Sequence, residues 1–539
     1  KIIEADVDAR LDELLTLVLD THAAVERHSR SFDADAHHAL ARRAAGESVV
    51  LLKNDDALLP LAEGTRVAVI GDFAETPRYQ GAGSSAVNSI KVDTFLDCLN
   101  DSGLYSVGFA PGFDRQGKPD AAKQAEAVAL AAEADAVLLC LGLDEIKESE
   151  GLDRADMKLA DNQIELLQAV REANPNTVVI VNAGASLETP WLAHCKALVY
   201  GALGGQAGAG AMVDVLTGKI NPGGKLAETW ANAYADTPAR DHFAGPGRTV
   251  QYREGLYVGY RYYQPAGVPV AFPFGHGLSY TQFAYSDLHA DAHSATLTVT
   301  NTGDRAGAEI VQLYVAKPNA EIFRPAQELK AFAKVQLAAG ESKTVTLTLD
   351  DKAFRYWNTR TDSWEMEGGT YELRVGASSA DIRLTAAVEV IGTDALNPYA
   401  GKALPHYQSG KVQTVPDAEW ETLLGRPIPD DRVEIDRNMT LGELNHGRSP
   451  LGWLVWAVLT ALLNASYKKG KPDLNVLFQY NMPLRALAKM TNGAISMGMV
   501  DGIVMEVQGF WVIGLVRVIF EAVKNVILNA QLENRLRNS

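Results

Sequence analysis

The sequence predicts a mixed chain: a mostly parallel α/β sandwich, then a β-sandwich, then a helical C-terminal extension. Three observations predict it. Continuous apolar runs at 67–70, 136–141, 177–181 and 197–200 each end in a glycine or Asn-Ala-Gly loop and alternate with helical stretches at 121–132 and 162–173. Strands without polar alternation belong to a parallel sheet covered on both faces. From 283 to 391 the pattern switches to period two, as in Ala295-Thr296-Leu297-Thr298-Val299-Thr300 before the turn Asn301-Thr302-Gly303-Asp304. Short strands at 310–315, 343–349 and 370–375 continue it, and such strands between turns make a sandwich. After 393 a Pro-rich polar stretch through Asp430 gives way to helical periodicity at 450–467, 482–491 and 498–530.

Each element follows from local pattern. Residues 1–30 read as a helix, with Leu11, Leu14, Leu15 and Val18 at helical spacing; a second helix starts at the N-cap Asp33 and runs through Glu47. The α/β sandwich occupies 31–235. Residues 236–282 are dense in Pro, Gly, Tyr and Phe, too aromatic for a flexible linker, and read as an ordered connector. The β-sandwich occupies 283–392 and the helical extension 393–539. A length of 539 residues fits such a multi-domain chain.

Composition excludes several function classes. With 67 acidic and 50 basic residues the formal charge is −17, which argues against a nucleic-acid partner and fits a cytoplasmic enzyme of neutral substrates. The chain opens at Lys1 with no leader pattern. The three cysteines, Cys98, Cys140 and Cys195, have neither disulfide nor zinc spacing; Cys140 and Cys195 sit in apolar runs and read as buried spectators. His37-His38, adjacent on a helix, point in different directions and read as solvent-exposed, not as a metal site. No metal or cofactor is expected. No uncharged apolar run reaches about 18 residues, so no transmembrane helix is expected. The run 451–463 reads as too short to span, and 503–528 carries Glu506, Arg517, Glu521 and Lys524. These helices are expected to pack on the body or on a partner subunit, so that a homodimer is open and a membrane is not expected as a partner; a monotopic amphipathic helix is the alternative.

In a parallel α/β sheet, ligands bind where the loops leave the carboxyl ends of the strands. Those loops are 71–90, 142–156, 182–190 and 201–210. In the second, the stretch 144–154 holds five acids, Asp144, Glu145, Glu148, Glu150 and Asp153, against two bases, Lys147 and Arg154. Crowding and partial burial would raise carboxyl pKa values, as general-acid work requires, although a solvated acidic loop accounts for the composition equally well. The first loop carries Tyr79-Gln80-Gly81-Ala82-Gly83-Ser84-Ser85-Ala86. Gly81 lies ten residues beyond Gly71, so the glycines do not open a helix straight after the strand as a dinucleotide fingerprint does, and no Gly-Lys-Ser/Thr is present. The loop reads better as facing a substrate, with Arg78, Gln80, Ser84 and Ser85 as candidate donors; a structural turn is the equal alternative for each. Trp191 and Trp230 could stack on a ligand in principle. Trp357 and Trp364 lie in the β-sandwich, where core packing or a domain interface is expected.

Glu148-Ser149-Glu150-Gly151-Leu152-Asp153-Arg154, followed by Leu159-Ala160-Asp161-Asn162-Gln163, resembles the acid/base loop of family 3 glycoside hydrolases. Other segments resemble that family in the same order: Glu47-Ser48-Val49-Val50-Leu51-Leu52-Lys53-Asn54, Gly81-Ala82-Gly83-Ser84-Ser85, Glu188-Thr189-Pro190-Trp191, and Phe272-Pro273-Phe274-Gly275-His276-Gly277. The β-sandwich resembles the family's fibronectin type III-like domain. The resemblance covers about residues 1–391.

It implies an exo-acting retaining β-glycosidase, β-glucosidase-like, acting on terminal non-reducing β-D-glycosyl residues of a β-linked glycoside or oligosaccharide. A carboxylate on an N-terminal (β/α)8 barrel would be the nucleophile and a Glu of the α/β sandwich the acid/base. By resemblance that Glu is Glu150, with Glu148 the runner-up; Asp153 and Arg154 are expected to pair and fix the loop. The barrel and its Ser-Asp-Trp-like nucleophile motif are absent from these 539 residues, and the segment after 391 is too short to hold a relocated barrel. The resemblance therefore implies a chain that supplies the acid/base but not the nucleophile, inactive by itself, with the barrel as its partner in cis or as a separate polypeptide. The alternative is a noncatalytic carbohydrate-binding or interaction module.

Overall fold

The computed structural model of the chain describes residues 3–27, 31–245, 249–470 and 472–538. The two ends of the helix expected over 1–30, three connector positions (246–248), and positions 471 and 539 of the extension lie outside the described residues.

Six strands form the central sheet: β1 Val50–Asn54, β2 Arg66–Ile70, β3 Tyr105–Ala110, β4 Ala136–Gly142, β5 Thr177–Asn182 and β6 Ala197–Tyr200, in the spatial order β1-β6-β5-β4-β2-β3. All pairings are parallel except β1 with β6. β4 is buried along its whole length, as a strand covered on both faces must be. The chain enters through α1 Glu4–Arg27 and α2 Ala34–Ser48. The Asp33 side chain accepts the Ala36 N–H and caps α2, a helix docked to the layer by the Arg42–Asp214 ion pair at 2.7 Å. α3 Phe95–Leu99, α4 Ala121–Ala132, α5 Asp161–Ala173 and α6 Gly208–Leu216 complete the layers. No side chain of α1 is buried, and Leu11, Leu14, Leu15 and Val18 all face solvent.

Short strand β7 Trp230–Ala231, at the end of the α/β layer, pairs with β8 Val270–Phe272 of the connector, with α7 Tyr260–Ala266 between them in the chain. Tyr257, Tyr262 and Tyr263 are buried there against Leu404 and Tyr407, so the aromatic richness of this segment builds a core of its own.

The sandwich packs the sheet of β9 Phe283–Ala290, β10 Ser294–Asn301 and β13 Ser342–Thr348 on that of β11 Gly307–Ala316, β12 Glu328–Leu337, β16 Gly369–Gly376 and β17 Ile382–Val390. In β10 burial alternates residue by residue, with Ala295, Leu297 and Val299 inside. A separate hairpin, β14 Arg355–Asn358 and β15 Ser363–Met366, carries Trp357 and Trp364. They meet edge to face at 5.4 Å and are 42% and 58% exposed. The expectation of core packing fails for this pair, because a two-stranded ribbon outside both sheets has no second layer to cover it.

The extension holds α8 Pro405–Ser409, α9 Asp417–Leu424, α10 Pro450–Tyr467, α11 Leu474–Tyr480, α12 Ala486–Met490, α13 Met497–Val507 and α14 Trp511–Asn538. The single helix expected over 498–530 is two. Gly509, at φ +104°, adopts a backbone that side-chain-bearing residues avoid, and α14 folds back on α13. The fold-back turns Arg517 onto Asp501 at 2.7 Å, while Glu506 of α13 accepts the Ser449 hydroxyl at 2.8 Å. α10 also corrects an expectation. Capped by Ser449 and continued through Tyr467, it is 18 residues long with a mean hydropathy of 1.3, and is long and apolar enough to cross a membrane by length and composition.

His38 is a further correction. It is buried, with Asp93 at 3.0 Å on Nε2 and Gln206 at 2.9 Å on Nδ1, while His37 is exposed and stacks on Phe32. His276 is held by the Leu52 carbonyl at 3.0 Å. Cys140 and Cys195 are buried, and burial raises their thiol pKa values to about 12 and about 11.

Candidate active site

The loops after β2, β4 and β5 meet at the carboxyl edge of the sheet. The loop after β4 is built from the inside out. Asp144, buried at its base, accepts the backbone N–H groups of Ile146 and Lys147 at 3.1 and 2.7 Å and forms the turn. Arg78 comes from the loop after β2 and is 3% exposed. Its guanidinium donates to the carbonyls of Leu143, Asp144 and Glu148 at 2.7, 3.0 and 2.6 Å. Glu148 closes this clasp. Its carboxylate lies 3.1 Å from Arg78 Nη1 and accepts the Gly184 N–H at 2.9 Å. Three loops are thereby tied together through one buried cation.

Glu150 stands outside the clasp, exposed. Its backbone N–H donates to Ala82 at 2.9 Å, and its Oε2 accepts both the N–H and the hydroxyl of Ser84, at 2.5 and 2.6 Å. Gly83, at φ +139°, makes room: a Cβ there would lie 2.5 Å from the Glu150 carboxylate oxygen. The glycine-rich loop is thus shaped to seat this carboxylate.

The electrostatics differ from the sequence expectation. The five acids do not crowd one another, because Asp144 caps its own turn, Glu145 faces Arg115 at 3.6 Å, Glu148 holds Arg78, Glu150 holds Ser84, and Asp153 is exposed. The Ser84 hydroxyl, then the Ser84 N–H, stabilise the ionised form of Glu150 and hold its pKa below the ordinary glutamate value. The expected elevation is absent at this residue. It appears at Glu228, where burial of part of the carboxyl outweighs hydrogen bonds from Ser186 and raises the pKa. Arg154 does not pair with Asp153. It donates to the Ser186 carbonyl at 3.1 Å, its Nε and Nη2 find no hydrogen-bond partner, and burial lowers its pKa despite Glu148, Asp156, Glu188 and Glu228 nearby. That neighbourhood binds the third loop to the second and was not singled out from sequence, because Glu228 lies about 80 positions away from the acidic loop.

Of the candidate donors, Ser84 meets Glu150 directly. Arg78 is spent on loop carbonyls and Glu148. The Gln80 amide donates to the Tyr79 hydroxyl at 3.0 Å and the Val87 carbonyl at 3.1 Å, which rigidifies the glycine-rich loop. Ser85 is exposed. Trp191 and Trp230 are buried at 2% and 0% exposure and offer no stacking face. Among the described residues no group of three His, Cys, Asp or Glu side chains could hold a metal.

An α/β layer that presents a seated carboxylate at the carboxyl edge of its sheet, joined by an aromatic connector to a β-sandwich, is the architecture of a glycosyl hydrolase C-terminal portion. Residues 49–280 match the glycosyl hydrolase family 3 C-terminal domain, and residues 309–379 match the fibronectin type III-like domain. The chain belongs to glycoside hydrolase family 3 and carries its C-terminal domain. It is 43% identical over 414 residues to an exo-alpha-(1->6)-L-arabinopyranosidase of Bifidobacterium breve, covering 74% of this chain and 55% of that one. It is 41% identical over 418 residues to thermostable beta-glucosidase B of Acetivibrio thermocellus, covering 73% of this chain and 55% of that protein. The crystal structure of a Bifidobacterium adolescentis GH3 beta-glucosidase superposes with a TM-score of 0.70 at 39% identity, over 84% of this chain and 62% of that one. The chain spans about half the length of the curated relatives it matches.

Proposed function

We propose that this chain supplies the acid/base half of an exo-acting retaining β-glycosidase, with Glu150 as that residue and β-D-glucosides as the leading substrates. The observation that carries the reading is the seating of Glu150: a carboxylate exposed at the sheet's carboxyl edge, fixed by Ser84 and free on its other oxygen side. Glu148, the alternative, is committed to Arg78 and Gly184. In the first step the nucleophile carboxylate bonds to the anomeric carbon, the glycosidic C–O bond breaks, and the Glu150 proton goes to the departing oxygen. In the second, water attacks the anomeric carbon, Glu150 takes its proton, and the ester C–O bond breaks to free the nucleophile.

The nucleophile would come from a barrel, in cis or as a separate polypeptide. Among the described residues there is no (β/α)8 barrel, and α1 lies bare of packing with its leucines in solvent. The low pKa of Glu150 suits the base step. The acid step requires a second carboxylate at about 5–5.5 Å, whose charge raises the Glu150 pKa until the ester forms and that charge disappears. The similarity to an arabinopyranosidase supports α-L-arabinopyranosides as a second substrate class. A homodimer completes the proposal: Val512, Ile519, Phe520, Val523 and Val526 of α14 are each more than half exposed on one charge-free face.

The test is hydrolysis of an aryl β-glucoside. The chain alone should release no phenol above background, and the chain joined to its barrel should. Turnover by the 539-residue chain alone that a Glu150 substitution abolishes contradicts the division of labour proposed here.

A further inference from the structure

The ribbon of β14 and β15 runs between β13 of one sandwich sheet and β16 of the other, and belongs to neither. It is held from one side. On its inner face Asn358 is fully buried. Its amide donates to the Leu396 carbonyl at 3.0 Å and its oxygen accepts the Arg360 N–H at 2.9 Å, which fixes the turn. Tyr356, on the same face, lies under the Arg324 guanidinium at 5.9 Å, and at the base of the ribbon Met366 packs against the sandwich core. The outer face is thereby given a fixed shape before any ligand arrives.

Trp357 and Trp364 are direct cross-strand partners on that outer face. Two large aromatics left in water on an anchored ribbon mark an interaction site. Their planes meet at 78°, so the pair forms a corner, one indole a floor and the other a wall. Among the described residues no cation stacks on either ring, and neither indole N–H has a hydrogen-bond partner. Arg355 lies two positions before Trp357, on the same face, and is balanced by Asp351 at 2.6 Å.

This corner selects a flat, neutral ring. The negative face of an indole meets the weakly positive C–H hydrogens of a pyranose whose substituents are all equatorial. The free indole N–H groups and the Arg355–Asp351 pair supply donors and an acceptor for the ring hydroxyls. Residues 350–366 carry four acids against three bases, so a polyanion gains nothing here. Area argues against a protein partner. At 42% and 58% exposure the two indoles together present about one tryptophan's surface, ~250 Å², against the ~800 Å² that each side of a stable protein interface contributes.

We propose that the outer face of this ribbon is a glycan-binding site that takes one pyranose ring of a neutral chain in the glucose or xylose configuration. Trp364, the more exposed indole, is the floor and Trp357 the wall. The site lies in the β-sandwich, whereas Glu150 lies in the α/β layer, and it holds a chain without cleaving it. It therefore stands or falls independently of the glycosidase reading.

Two measurements on the 539-residue chain test it. In native gels containing a soluble mixed-linkage β-glucan the chain should be retarded. Trp364→Ala should weaken that binding about tenfold, and Trp364→Phe, which keeps a ring, should retain most of it. Polygalacturonate, an anionic chain, should not retard the protein. In ¹H–¹⁵N spectra, cellohexaose should move two of the eight indole N–H signals, those of Trp357 and Trp364. No retardation, retardation untouched by Trp364→Ala, or unmoved signals for these two indoles overturns the proposal. If Trp364→Ala instead changes only the sedimentation of the chain, the corner is a protein contact and the glycan reading is wrong.

Discussion

Ser84 donates twice to one oxygen of Glu150, from its backbone N–H at 2.5 Å and from its hydroxyl at 2.6 Å. Two donors on one carboxylate oxygen favour the charged form, and this contact lowers the Glu150 pKa. Ser84→Ala removes the hydroxyl, the larger cause, and leaves the N–H. The Glu150 pKa should then rise toward the ordinary glutamate value, as read by carbon-13 NMR titration of its carboxyl. The sign for stability follows: a depressed native pKa contributes stability above the unfolded pKa that is lost as pH falls through the native one. The variant should lose less stability than the native chain on acidification below about pH 4.5.

Glu148 should behave differently. Removing it leaves Arg78, which is 3% exposed, without its carboxylate and the Gly184 N–H without an acceptor. Glu148→Ala should cost about 1–3 kcal/mol, less than a fully buried pair because three carbonyls still serve the guanidinium. The check is chemical denaturation followed by a probe in the α/β layer, since one midpoint for so many domains has no single meaning.

Glu228 has the opposite titration. Its pKa is raised, so its contribution is present below the unfolded pKa and lost as pH rises through the native one. Glu228→Gln keeps an acceptor for Ser186 and removes the charge. The variant should be more stable than the native chain at pH 7, with the difference shrinking toward pH 4, in paired thermal scans across that range.

Much of this was legible in the sequence, for physical reasons that differ by element. β2, β4, β5 and β6 announce themselves because strands buried on both faces must be apolar throughout. β3, an edge strand with Tyr105 and Ser106 exposed, has no such run, and β1 follows α2 with no turn residue between them; neither was read as a strand. The acidic loop and Glu150 were legible through motif resemblance, but the direction of the Glu150 pKa was not, because it depends on a hydroxyl 66 positions away. The break in the last helix was marked only by Gly509, which a residue-periodicity reading passes over. The contact of Leu477 with Gly151 has no sequence signature at all.

The outer face of α14 bears on assembly. Phe520 is 65% exposed, and no charge interrupts the apolar stripe around it. The chain should sediment as a dimer at micromolar concentration, and Phe520→Asp should shift it to monomer. In flotation the native chain should stay off neutral liposomes. Monomers that float would assign the face, with α10, to a bilayer.

The most direct measurement is azide rescue in the chain joined to its barrel. Glu150→Ala should slow a cellobiose-like substrate by about 10²–10⁴-fold, because a sugar alkoxide leaves poorly without a proton. An activated aryl glycoside should form the covalent intermediate with a smaller loss, and then stall, because water lacks its base. Added azide, which needs no base, should restore turnover and yield the glycosyl azide. Rescue of Glu148→Ala with none for Glu150→Ala would move the acid/base to Glu148. If neither variant distinguishes good from poor leaving groups, the acid/base does not lie on this loop and the account fails.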